Sequence, residues 1–347
     1  MDFTLAEPIV QALIACIERS DTGYASAHNG LHTAFAGFAA RRWGWDTVDS
    51  RSSICADVSV ATVELLRLLT APGSRVVISP PVYPPFRAWI KEAGAVVAEA
   101  PLQETEQGWR LNLDTIERAF SQGAVAYLLC NPHNPVGVAH TREELENLAA
   151  LADKYGVIVI SDEVHAPLVL TGSVFTPFLS LGPIATRRGI VLTAASKAWN
   201  VAGLKTALIL TQDPMLDALH DRLPAETPWR TGHLGVIAAT TAFASGELWL
   251  DTVREALDFN RQYLADLLSR HLPRARYRQP QAGYLAWIDS SELGWGDKVA
   301  ASVLEQRRVA LDDGIAFGAE GAGYLRLNFA CSPDILDEAI TRIAQYA

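Results

Sequence analysis

Four apolar runs along the chain each stop at once in polar, turn-forming residues. They are RVVISPPVYPPF over 75–86, AVAYLLCNPHNPVG over 124–137, YGVIVISDEVHAPLVL over 155–170 and VLTAASKAWNVAGL over 191–204. Their apolar parts do not alternate with polar positions, so they read as strands covered on both faces, which predicts a mostly parallel sheet with helices on either side. In open α/β sheets ligands bind beyond the carboxyl ends of the strands, and the polar residues after the runs are therefore predicted to converge on one crevice. Helical periodicity is predicted over 6–18, 30–43, 248–270, 297–307 and 333–345, and within 55–69 after Asp57-Val58-Ser59; two further strands are predicted at 283–288 and 324–329. The result is an α/β architecture with a large domain over 46–250 and a smaller α+β domain drawn from both chain ends, 1–45 and 251–347. A domain built from both ends suits a lid that closes over substrate.

Composition narrows the function classes. With 347 residues, 49% of them apolar, the chain can bury large cores and exceeds the usual single-domain size. A net charge of −10 without basic clusters argues against a nucleic-acid partner, so small anionic substrates need local positive groups. The four cysteines, Cys16, Cys55, Cys130 and Cys331, show no metal-type spacing; no metal site is implied, and a reducing cytoplasm is predicted. No charged-then-apolar leader and no long apolar stretch is read in the sequence, which supports neither export nor membrane insertion.

Lys197 is the best catalytic candidate. At the end of a buried strand, desolvation disfavours its ammonium form, and such a lysine can attack a carbonyl to form a Schiff base. A Ser-Lys pair after an apolar run is, taken alone, an ordinary strand terminus with a solvated lysine. The companions have ordinary readings of their own. Asp162 can cap the turn after its strand, the two Asn-Pro steps around Asn134 can be a plain turn, Tyr83 can be a core tyrosine, and Arg326, in an alternating strand, can sit on a solvated face. The start of the helix at Val58 and Ser59 offers backbone N–H groups to an anion, although an acid at Asp57 opposes one unless its side chain turns away.

NPHNPVG at 131–137, SDEVHAPLV at 161–169, SKAWNVAGLK at 196–205 and YLRLNFACS at 324–332, in this order and spacing, resemble the fold-type I pyridoxal phosphate enzymes. Within the class I/II aminotransferase superfamily they are most similar to the carbon–sulfur β-lyases of the cystathionine β-lyase (MalY/PatB-like) group. The resemblance covers nearly the whole chain. It implies an aspartate aminotransferase-like fold and pyridoxal 5′-phosphate as cofactor. Lys197 would be the Schiff-base lysine that also moves the Cα proton, and Asp162 would pair with the pyridinium nitrogen. Asn134 would bond the 3′-oxygen, Tyr83 would stack on the ring, and Arg326 would grip the substrate α-carboxylate. Val58, Ser59, Ser196 and Lys205 would serve the phosphate, Lys205 being alternatively a solvent-facing lysine. His165 falls where aminotransferases place a tyrosine near the 3′-oxygen; a histidine satisfied by local hydrogen bonds is the other reading. Tyr24 would reach into the neighbouring site of a homodimer.

The implied reaction is α,β-elimination from L-cystathionine or a related cysteine thioether to thiol, pyruvate and ammonia, in methionine biosynthesis or sulfur scavenging. His133, in place of a second asparagine between the Asn-Pro steps, favours lyase over an aminotransferase of the same fold, the main alternative; a regulatory protein-binding role is a further one. Trp229, Arg230 and His233 are candidate liners of the substrate pocket. Met1-Asp2-Phe3 resembles the inside of a family segment that follows a leading arm, which raises the expectation that an arm is missing here.

Overall fold

The computed structural model describes residues 1–25 and 30–346. Its centre is a seven-stranded sheet. The strands are β1 (Arg51–Cys55), β2 (Arg75–Ile78), β3 (Val96–Glu99), β6 (Ala124–Cys130), β7 (Ile158–Asp162), β8 (Gly189–Thr193) and β9 (Ala207–Thr211), arranged β1-β9-β8-β7-β6-β2-β3. A separate hairpin, β4 (Gln103–Thr105) and β5 (Gly108–Arg110), lies between β3 and β6 in sequence. Strands β3, β2, β6, β7 and β8 run parallel, whereas β9 is antiparallel to both β8 and β1. The sheet is thus mostly parallel, as the apolar runs predict. The exception has a local cause: the link from β8 to β9 holds only a short 3-10 turn, Ala202–Leu204, with no crossover α-helix. A parallel return is usually made through such a helix.

The unbroken apolar runs follow from burial on both faces. Every residue of β8 and β9 is buried. Val191, Leu208 and Leu210 enter the core on one side of the sheet, while Ile190, Leu192 and Ile209 enter the core on the other. Helix α1 (Glu7–Glu18) and helix α2 (Leu31–Trp43) precede the sheet, and Gly44, at φ 63°, ends the second with a left-handed cap. Helix α3 (Val58–Leu69) places Val58, Ala61 and Leu65 against the sheet at helical spacing. Because β1 lies antiparallel to β9, it runs with β8, and α3 begins at the sheet edge where β2, β6, β7 and β8 also end.

A second, antiparallel sheet has the order β10-β11-β13-β12, from β10 (Arg276–Tyr277), β11 (Leu285–Asp289), β12 (Asp312–Asp313) and β13 (Tyr324–Asn328). The long helix Glu247–His271 leads into it, and the last helix, Pro333–Ala344, packs on that long helix. The helix predicted over 297–307 starts later, at Ala300, because the Asp313 carboxylate takes the backbone N–H groups of Val299 and Ala300, each at 2.8 Å. Both chain ends meet near the sheets. The Asp2 N–H donates to the Ala330 carbonyl at 2.9 Å, and the Asn200 amide donates to the carbonyls of Met1 and Phe3 at 3.1 and 3.2 Å. Among the described residues no helix is long and apolar enough to cross a membrane.

Candidate active site

Four parallel strands deliver their following residues to one sheet edge. After β2 the chain turns through Pro80 and Pro81 to Tyr83; after β6 it forms the Asn131–Gly137 turn; after β7 come Glu163 to His165; after β8 comes Lys197. Tyr83, Asn134, Asp162, His165 and Lys197 meet Arg326 of β13 around one cavity of about 330 Å³. Clefts of about 810 and 700 Å³ lie elsewhere and contain no lysine. Size does not mark the reactive site here; the side-chain set does.

The supports of these residues are specific. The His133 N–H donates to the Val138 carbonyl and the Gly137 N–H to the His133 carbonyl, both at 2.8 Å, closing the turn that carries Asn134. His133 is buried, its Nε2 lies 3.0 Å from the Pro81 carbonyl oxygen, and burial together with neighbouring His140 pushes it down to about pKa 3. It is a neutral tie between two site loops. Gly137 must be glycine: its φ is +68°, and a Cβ there would stand 2.4 Å from the Pro280 Cβ. Two residues beyond Lys197, Trp199 is fully buried, edge-on to Phe38 and Phe243, with Nε1 donating to the Gly246 carbonyl at 3.0 Å. This anchors the lysine turn.

Arg326 is held from several sides. Its Nε and Nη2 donate to Asp312 Oδ2 at 2.9 and 2.7 Å, its Nη1 donates to Asn134 Oδ1 at 3.1 Å, and its guanidinium lies over the Phe317 ring at 4.7 Å. Asn134 accepts with its oxygen, and its amide N–H groups, without an acceptor among the described residues, are left for a ligand.

The buried carboxyl of Asp162 accepts the Val164 N–H at 3.2 Å and has no ion-pair partner among the described residues. Burial pushes it up to about pKa 6, against the Val164 bond and the charge of Lys197. A cationic ring N–H is the partner that such a carboxylate lacks, and on this ground the residues fit pyridoxal phosphate. His165 is pushed down to about pKa 3 by burial and by the charges of Lys197 and Arg326. Its ring nitrogens make no hydrogen bond among the described residues, so the locally satisfied histidine expected as one reading is not what forms. Next to Asp162, the buried Glu163 accepts the Ser161 hydroxyl at 3.0 Å and the Phe178 N–H at 2.9 Å, and burial raises it to about pKa 8.

The start of α3 differs from the expectation for a phosphate-binding helix. Val58 and Ser59 open α3, but the Asp57 side chain does not turn away. It caps the helix by accepting the Val60 N–H at 3.0 Å, accepts the Ser59 hydroxyl, and pairs with Lys205 Nζ at 3.1 Å. Burial favours its neutral form, yet the bonds from Ser59, Val60 and Lys205 hold the carboxyl below its ordinary range. Lys205, exposed at φ 58°, is therefore neither free in solvent nor a lone cation beside the helix start. Val58, Ser59, Ser196 and Lys205 do not line the cavity.

Tyr24 also lies outside it. This residue is 79% exposed and meets Trp229 edge-on at 5.5 Å. Trp229, Arg230 and His233 do not line the cavity either; His233 faces Asp21 at 3.2 Å. Sequence reasoning missed Cys130, Val164, Tyr284, Leu285, Asp312 and Asn328, all of which line it. Tyr284 and Leu285 fall inside the predicted 283–288 strand, and Cys130 and Val164 adjoin motif residues, so position alone could have found these four; no motif points to Asp312.

Comparison with known proteins identifies the family and the fold. The family described as aminotransferase class I and II matches residues 18–343. The chain is 34% identical to cystathionine beta-lyase of Corynebacterium glutamicum, over 99% of this chain and 90% of that protein. It is 32% identical to cystathionine beta-lyase PatB of Bacillus subtilis, over 99% and 89%. Among solved structures, cystalysin from Treponema denticola, which contains pyridoxal 5′-phosphate, superposes with a TM-score of 0.93 at 25% identity, covering 99% of this chain and 88% of that one.

Proposed function

We propose, from the premise that this chain belongs to the class I and II aminotransferase family, that it is a pyridoxal phosphate-dependent carbon–sulfur β-lyase acting on L-cystathionine or a related cysteine thioether. The observation that carries the reading is the convergence of Lys197, Asp162, Tyr83, Asn134 and Arg326 on one cavity, in a chain whose relatives bear the cystathionine β-lyase name. When bound, pyridoxal phosphate supplies an electron sink for the charge that develops at Cα. Asp162 would hold the ring nitrogen protonated, Tyr83 would orient the ring by stacking, and the Asn134 amide would donate to the 3′-oxygen, with His165 beside it. Val58, Ser59, Ser196 and Lys205 would have to serve the phosphate from outside the described cavity, at a helix start that Asp57 already caps while holding Lys205.

Arg326 fixes the substrate carboxylate, and the Lys197 amine takes the Cα proton as general base. With a thiolate leaving group at Cβ the C–S bond then breaks with its electron pair going to sulfur, and the remaining three-carbon fragment takes up water to give pyruvate and ammonia; cystathionine gives homocysteine as the thiol. Without a leaving group the same residues support amino transfer, the second reading. The assignment of 46–250 to a large domain and of both chain ends to a small one is supported by the two separate sheets, with Arg326 on the second. Tyr24 and Trp229 form an exposed aromatic pair, which supports a homodimer in which Tyr24 serves the neighbouring site. The four unpaired cysteines support a cytoplasmic setting.

The test is release of pyruvate and free thiol from L-cystathionine by the cofactor-loaded protein, with a 2-oxo acid acceptor assay beside it. Equal pyruvate and thiol establish the lyase; amino transfer without thiol release makes it an aminotransferase.

A further inference from the structure

We propose that Asp312 is the positioning residue of the substrate-carboxylate arginine and that its charge limits how tightly α-carboxylates bind; the proposal rests on the reading of Arg326 given above. Strand register sets Asp312 directly opposite Arg326 on β12 and β13. A guanidinium has five N–H groups. Three of them are spent, on Asp312 through Nε and Nη2 and on Asn134 through Nη1, which leaves one N–H on each terminal nitrogen. Those two are the donors that remain for a substrate carboxylate. Phe317 beneath the guanidinium fixes its plane.

The segment that carries Asp312 and Phe317 is itself locked. The Phe317 carbonyl accepts the Val82 N–H at 3.0 Å and Arg87 Nη1 at 3.2 Å, next to Tyr83. The aim of those two donors is thereby referenced to the loop that bears the stacking tyrosine. Asp312 has a second, opposite effect. Its side chain is 53% exposed and bonds Arg326 through Oδ2 alone, so an incoming carboxylate meets a guanidinium whose charge is already paired and a like charge beside it.

Two substitutions separate these effects. Asp312→Asn keeps an oxygen acceptor for Nε and removes the charge. It should lower KM for L-cystathionine and the inhibition constant of propionate, a probe of the carboxylate grip alone, by about two- to fivefold, the range of partly exposed charge pairs. Asp312→Ala removes the acceptor as well and should raise both constants by about tenfold or more, as loss of a hydrogen bond to a charged group does. Rescue of the alanine defect by asparagine is a result that a purely structural role would not give.

Arg326→Met is the control. If it leaves KM and propionate inhibition unchanged, the reading of Arg326 itself fails. If it weakens both while neither Asp312 variant moves them, the Asp312 inference fails alone. Equal weakening by the asparagine and alanine variants would overturn the charge effect.

Discussion

Replacing Asp162 with asparagine should make the cofactor-free protein more stable near neutral pH while reducing what the cofactor adds. The carboxyl is raised from 3.8 to about 6 by burial, roughly two units at about 1.4 kcal/mol each, or about 3 kcal/mol. A folded-state value above the unfolded one means that the neutral form favours the fold. This contribution is fully present below about pH 4 and is lost as pH rises through about 6. Near neutrality the wild-type protein therefore carries the cost of a buried, unpaired charge. Asparagine keeps an oxygen to accept the Val164 N–H and carries no charge.

At about 2.1 cal/mol/K per residue, 347 residues give an unfolding entropy near 730 cal/mol/K, so about 3 kcal/mol corresponds to roughly 4 °C in Tm. The assay is thermal unfolding of both cofactor-free proteins at about pH 7.5 and about pH 4.5, where the difference should appear at the first and shrink at the second. Glu163, raised to about 8, titrates in both proteins and drops out of the comparison to first order. Added pyridoxal phosphate should then raise the wild-type Tm more than the variant's, because only the carboxylate gains a charged partner. A gap of the same size at both pH values, or none at the higher one, refutes the assignment of the cost to Asp162.

Three other expectations follow from the site. Lys197→Ala should abolish both turnover and the visible absorption of the lysine-linked cofactor, and retention of either would remove the central assignment. Trp199→Ala should cost about 3–5 kcal/mol in chemical denaturation, since it empties a fully buried ring site and strips the Gly246 carbonyl of its donor; a loss below about 1 kcal/mol would mean that the ring does not anchor the lysine turn. If Tyr24 serves the partner's site, mixing inactive Tyr24→Ala and Lys197→Ala subunits should restore about a quarter of the wild-type sites, because half of the randomly formed dimers are hybrids with one intact site each. No recovery after confirmed subunit exchange would place Tyr24 outside the neighbouring site.

Much of this arrangement is legible in the chain because its chemistry sits in contiguous segments. The apolar runs announce buried strands, and the residue after each run is already at the sheet edge. Helix limits predicted at 6–18 and 248–270 lie within a residue of Glu7–Glu18 and Glu247–His271. Direction within the sheet is a different matter. Ala207–Thr211 is buried throughout and reads the same as a parallel or an antiparallel strand. The late start of the helix at Ala300 likewise depends on a carboxylate, that of Asp313, that lies downstream of the helix itself.

The carboxylates show where legibility stops. Asp57 is anomalous beside a helix start meant for an anion, and from sequence the only escape is for its side chain to turn away. The fold instead brings Lys205 to it from 148 residues further along. Asp312 is invisible until strand register sets it against Arg326. Asp162 is the opposite case: its position is plain in the sequence, but that it lacks a cationic partner is visible only in the structure. Of these three acids, Asp57 and Asp312 are neutralised by the chain's own cations, whereas Asp162 is buried, pushed up and without an ion-pair partner among the described residues. Its missing counter-charge is one that a protonated ring nitrogen would supply, so the acid that burdens the cofactor-free fold at neutral pH would be the one that gains most from the cofactor.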